Sequence, residues 1–107
     1  MAYQDALVSL ADPTRRRIFE AVANAPVSVA VLAAQLPVSR PAVSQHLKAL
    51  SDAGLVTATK QGTRNIYEAR PEGLSDLRRY LDRLWGDVLT SFAKDIAKEQ
   101  QNDGSDR

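Results

Sequence analysis

The hydrophobic period of this chain changes at Gly54, and that change limits what it can fold into. Upstream, apolar residues recur three and four positions apart, the period of amphipathic helices. From Leu55 to Ala69 the chain is rich in Val, Thr, Ile and Tyr, with Gln61-Gly62 in the middle, which reads as a β-hairpin whose turn needs glycine. Local signals divide the helical part. Tyr3, Leu7 and Leu10 mark a short first helix. Asp12 is an N-cap and Pro13 suits the first helical position, so a second helix opens there, with Ile18, Phe19 and Val22 inward, and stops at Asn24-Ala25-Pro26. Ser28 caps a third helix carrying Val29, Leu32, Ala33 and Leu36, and Pro37 ends it. After a turn at Val38, Ser39 caps a fourth helix that tolerates Pro41 in its first turn and runs to Ala53. Gly54 supplies the left-handed cap. Pro71 opens a long last helix to about Lys98, and the polar residues from Gln100 read as a frayed tail.

Two short helices joined by a tight turn and followed at once by a hairpin are the layout of a winged helix-turn-helix. The expected fold is mainly α with a small β-hairpin, dimerising through its terminal helices. The expected organisation is one DNA-binding and dimerisation domain over residues 1–99 and a flexible tail over 100–107.

The fourth helix carries the chemistry. Val43, Leu47 and Leu50 fall within about 60° of one another at 100° per residue and form its buried face. The opposite face carries Pro41, Ser44, Gln45, Lys48 and Asp52. Its N-terminal half offers Arg40, Ser44 and Gln45, side chains that can hydrogen-bond base edges in a major groove, where Arg suits guanine and Gln suits adenine. Ser39 and the free N–H groups beside it suit a phosphate, and Lys48 lies where it would reach the backbone. In the hairpin, Lys60 and Arg64 flank the turn, beside Gln61, Thr63 and Asn65, and such a basic loop can lie along phosphates or enter a minor groove. Arg15, Arg16 and Arg17 read as a solvated helix face.

Charge distribution agrees. The chain is nearly neutral at +1, but residues 1–70 carry eight basic groups against five acids, and 39–64 carry four against Asp52 alone. A positive patch on a neutral chain is what a phosphate-binding face requires.

The last helix carries two apolar stripes. Leu74, Leu77, Leu81, Leu84 and Val88 recur at spacings of 3, 4, 3 and 4, and Trp85, Leu89, Phe92 and Ile96 form a second stripe. One stripe can serve the chain's own core; the other needs a partner, and a two-fold homodimer is the simplest solution. The expected interface comprises Tyr3, Leu7, Leu77, Leu81, Leu84, Val88 and Phe92. Two recognition helices would then stand about 34 Å apart and read a near-palindromic operator in double-stranded DNA.

Other classes fit less well. With one histidine and no cysteine there is no nucleophile–base pair, and no glycine-rich phosphate loop appears, so no enzyme and no cofactor is expected. Absent cysteine excludes disulfides and thiolate metal sites; carboxylates such as Asp76 and Asp82 without imidazole make a poor zinc or nickel site, and no metal is expected. No apolar run approaches a membrane span and no signal pattern opens the chain, so a soluble cytoplasmic protein with no membrane partner is expected. Two alternatives stay open. One is a winged-helix protein-interaction module without DNA binding, which the polar, non-acidic face of the fourth helix argues against. The other adds an apolar-ligand pocket near Trp85, Leu89 and Phe92, although the residues name no small-molecule effector.

The stretch Leu10-Ala11-Asp12-Pro13-Thr14-Arg15-Arg16-Arg17-Ile18, the run Val38-Ser39-Arg40-Pro41-Ala42-Val43-Ser44-Gln45-His46-Leu47, the segment Ala53-Gly54-Leu55-Val56 and the wing Gly62-Thr63-Arg64-Asn65-Ile66-Tyr67 resemble ArsR-type repressors over about residues 5–96. The resemblance implies a homodimeric repressor on a promoter operator, often its own. It also implies DNA contacts at Arg40, Pro41, Ser44, Gln45 and the wing, and an effector, where one exists, that lowers DNA affinity. Classical members sense metals through cysteines, or through His and carboxylates on the last helix. This chain has neither cysteine nor a histidine there, and so resembles a metal-independent branch; His46, the sole histidine, matches a position of structural or DNA-side use.

Overall fold

The structure, a computed structural model, describes the backbone of residues 3–105 and the side chains of residues 3–98. Its elements in chain order are α1 (Tyr3–Ala11), α2 (Pro13–Asn24), β1 (Val27–Ser28), α3 (Val29–Gln35), α4 (Arg40–Asp52), β2 (Val56–Gln61), β3 (Arg64–Ala69) and α5 (Pro71–Ser105). The winged helix-turn-helix layout expected from the sequence is present, with one strand more than expected.

The caps act where their residue types place them. Asp12 accepts the Arg15 N–H at 2.9 Å, Ser28 accepts that of Val31 at 3.3 Å, and Ser39 accepts that of Ala42 at 3.3 Å. Each satisfies a first-turn N–H that has no partner inside its own helix. After α4, Gly54 takes φ 78° and turns the chain toward β2. At the hairpin tip Gly62 has φ 63° while Thr63 keeps a negative φ. Glycine first and an ordinary residue second is the pattern of a type II′ turn, whose twist suits the flanking strands.

The core of the unit Met1–Leu77 gathers one face from each of its elements. Ile18, Phe19 and Val22 come from α2, Leu32 from α3, Val43, Leu47 and Leu50 from α4, Leu55 and Val56 from the entry to β2, and Leu77 from α5. A buried leucine of this kind contributes roughly 1.5–3 kcal/mol by leaving water. Leu77, expected in the dimer seam, is only 7% exposed, so the chain's own core already covers it.

The sheet is three-stranded and antiparallel, in the order β1-β3-β2. β1 is too short for any periodicity to reveal. It pairs Val27 with Tyr67 and Ser28 with Ile66, which ties the hairpin to the start of α3. α5 begins against the α4–β2 corner. A Cβ at Gly73 would collide with the Gly54 carbonyl, so the helix can approach that backbone only through a glycine.

Beyond Leu77 the described residues of the second unit are helical, through Ser105, past the expected end near Lys98. The expected tail begins within this helix, and Asp106 and Arg107 lie outside the described residues. Leu84, Trp85, Val88, Leu89 and Phe92 are all exposed there. Among the described residues, no helix is long and apolar enough to cross a membrane.

Candidate nucleic-acid interface

Helices α3 and α4, with the turn between them, form the helix-turn-helix. α4 is held on its inner side by Val43, Leu47 and Leu50, which are completely buried. The 3.6-residue period then forces Pro41, Ser44, Gln45, Lys48 and Asp52 onto the outer side, and all five are exposed. The face predicted to meet DNA is therefore presented to solvent. Lys48 Nζ stands 3.5 Å from an Asp52 carboxylate oxygen one turn on. Both groups are well exposed, so this pair holds Lys48 with at most about 1 kcal/mol and leaves it able to turn to a phosphate. The Ser39 oxygen is occupied as the α4 cap, but its O–H remains a donor.

The wing brings its basic residues to the hairpin tip. Lys60 opposes Asn65 and Gln61 opposes Arg64 across the ladder, and all four side chains are exposed. Because β1 clamps β3 at Ile66, Arg64 is placed beside the start of α3 and within reach of the same cleft as Arg40.

Two residues read from the sequence as surface charge do something more definite. Arg15 Nη1 donates to the Ser9 carbonyl at 3.5 Å and Arg16 Nη1 to the Leu10 carbonyl at 3.0 Å. These carbonyls end α1 and lack helical partners, so the two arginines close that helix and fasten it to α2. No helix-period rule signals this, because the bonds span the α1–α2 corner. The Asp12 carboxyl is held below the usual carboxylate range, chiefly by the Arg15 N–H bond. Partial burial opposes that shift, and charge on the nearby His46 of α4 adds to it. His46 itself is half-buried on α4.

Among the described residues, no group of three His, Cys, Asp or Glu side chains could hold a metal ion. A thiolate site has no donor in a chain without cysteine, and His46 is its sole imidazole.

This arrangement agrees with known proteins. A family model described as a helix-turn-helix domain matches residues 10–58. The HTH-type transcriptional regulator Rv2034 of Mycobacterium tuberculosis is 53% identical over 91 residues, 85% of each chain. An ArsR-like transcriptional regulator from Rhodococcus sp. RHA1 superimposes with a TM-score of 0.74 at 34% identity, covering 85% of this chain and 86% of that one. The chain belongs to the ArsR-type winged helix-turn-helix transcriptional regulators. A homodimeric winged helix-turn-helix DNA-binding domain from Mycobacterium bovis superimposes with a TM-score of 0.63 at 25% identity, covering 78% of each. ArsR-type membership makes the protein a DNA-binding transcriptional regulator.

Proposed function

We propose that this ArsR-type chain is a homodimeric repressor that occupies a near-palindromic operator, its own promoter included. The observation that carries this reading is the exposed polar face of α4 beside a basic wing. Ser44 and Gln45 read base edges; Ser39, Pro41, Lys48 and Lys60 lie along the backbone, and Arg40 and Arg64 complete the contact. It acts in the cytoplasm by binding DNA and not by catalysis, and it needs no metal or cofactor.

The second half of the reading rests on α5. Leu81, Leu84, Val88 and Phe92 are exposed together with Trp85, Leu89 and Ile96, an apolar surface that a second copy would cover. Leu7 on α1 is exposed as well, and Tyr3 is half-buried. The homodimeric state of the Mycobacterium bovis domain supports the same arrangement here. A two-fold dimer sets the recognition helices about one DNA turn apart, which is why the operator is expected to be a near-palindrome.

Fluorescence anisotropy tests the proposal, with the full chain titrated against a duplex from upstream of its own gene and a scrambled duplex at two salt concentrations. Tight binding to the upstream duplex alone, weakening steeply with salt, is the expected result. Equal weak binding to both removes self-regulation, and no binding at low salt replaces the reading with a protein-interaction module.

A further inference from the structure

We propose that Arg40 is a ligand for the DNA backbone and not a base reader, and that Arg40 and Arg64 form one phosphate-binding cleft between α4 and the wing. This rests on the DNA-binding reading and divides its surface into two parts with different tasks.

The cleft has a volume of about 440 Å³ and is lined by Ser28, Val29, Ala30, Arg40, Arg64 and Asn65. Among the described residues none of its lining groups is acidic. Arg40 and Arg64 are exposed, and neither side chain has a hydrogen bond or ion pair with a described residue. Two cations turned to one cleft without a counter-charge repel each other and contribute nothing to the fold, whereas a bound anion relieves that repulsion. The phosphodiester fits, because its two free oxygens accept from the fork of a guanidinium and from the Asn65 amide.

The helical period puts Arg40 at one edge of the reading face, on the side of Ser44. At 100° per residue it lies about 140° around α4 from Gln45 and about 40° from Ser44. Arg40 is also the first residue of the helix, so its side chain leaves beside the start of α3. Arg64 arrives from the other side because β1 holds β3 through the Ser28–Ile66 pair, two residues along from it. A single strand of backbone entering this cleft would be gripped by the recognition helix and the wing at once. That grip sets the depth at which Ser44 and Gln45 meet the bases.

The test uses the full-length protein and two duplexes, one enriched by the protein from a random pool and one scrambled. Arg40→Ala is expected to weaken both by a common factor of about tenfold and to lower the slope of log K against log salt by about one. Arg40→Lys keeps most of the affinity, because a phosphate accepts an ammonium as a point charge. Gln45→Ala serves as the contrast, losing affinity for the enriched duplex only. Loss confined to the enriched duplex in Arg40→Ala, with the salt slope unchanged, would make Arg40 a base reader and overturn the proposal. Inorganic phosphate added at constant ionic strength is expected to displace neither duplex. Displacement would assign the cleft to free phosphate instead. Wild-type protein that enriches no sequence and binds neither duplex overturns the DNA-binding reading, a failure distinct from the other two.

Discussion

Leu47 on α4 and Leu84 on α5 are the same residue type on amphipathic helices, yet the first is 0% exposed and the second 43%. The difference is one of company. α4 lies against α2, α3 and β2, whose inward faces close over its stripe. The part of α5 beyond Leu77 carries one broad exposed apolar face, with Trp85 at 58% and Phe92 at 60% exposure. One region completes its core within a single chain. The other leaves its apolar surface exposed, and it is on this surface that the proposed dimer would form. In that dimer each reading head would be rigid before the pair forms.

The comparison can be broken most directly at Leu47. Leu47→Ala leaves a cavity in the finished core and is expected to cost about 2–5 kcal/mol, read as a lower urea midpoint with dimerisation still measurable in the folded fraction. Phe92→Ala, a larger truncation, is expected to leave a dilute sample's midpoint nearly unchanged and to weaken self-association. Equal stability losses at the two sites would show that α5 is already covered within one chain. Next, Leu81→Asp combined with Leu84→Asp is expected to give folded monomers by sedimentation, since two charges cannot be buried unpaired between copies. A variant that still sediments as a dimer removes α5 as the seam.

Gly73→Ala probes the junction of the two regions' shared helix with the α4–β2 corner. Its added methyl meets the Gly54 backbone, which has no rotamer to yield, and a loss of about 1–3 kcal/mol is expected by urea unfolding. An unchanged midpoint would mean that the helix start shifts freely. The smallest effect lies at Asp12. Its carboxyl is held below the ordinary value, so the stabilisation it supplies is fully present above the unfolded-state pKa, near 3.9, and disappears as pH falls through the lower folded-state value. Asp12→Asn keeps a capping oxygen and is expected to flatten the acid limb of the stability curve. An acid limb identical to that of wild type would assign it to other carboxylates.

Much of the helix-turn-helix was legible in the sequence because its determinants are local. Asp12, Ser28 and Ser39 cap the helices they precede, and each acts within three residues of itself. The period of Val43, Leu47 and Leu50 decided which side of α4 is buried and so which side carries Ser44 and Gln45. Gly62 marked the hairpin tip, although Gln61, read beside it in the middle of the hairpin, ends strand β2. What the sequence hid was non-local. β1 is two residues long and exists only because β3 offers it a ladder. The arginines that close α1 were read as solvated because their acceptors lie across a corner. Leu77 and Leu81 belong to one heptad-like row, and no spacing rule says that the first is inside the chain's core and the second outside it.

By itself, then, the sequence determined the order of elements, the caps, the buried face of α4 and the glycine turn, since each follows from the backbone period and from hydrogen bonds a few residues long. Only the tertiary structure decided that β1 pins the wing to α3, and with it that Arg40 and Arg64 turn to one cleft. The same holds for the close approach at Gly73 and for the position along α5 where burial stops. Those outcomes depend on which surfaces meet across long stretches of chain, where an apolar stripe states that it must be covered but not by what.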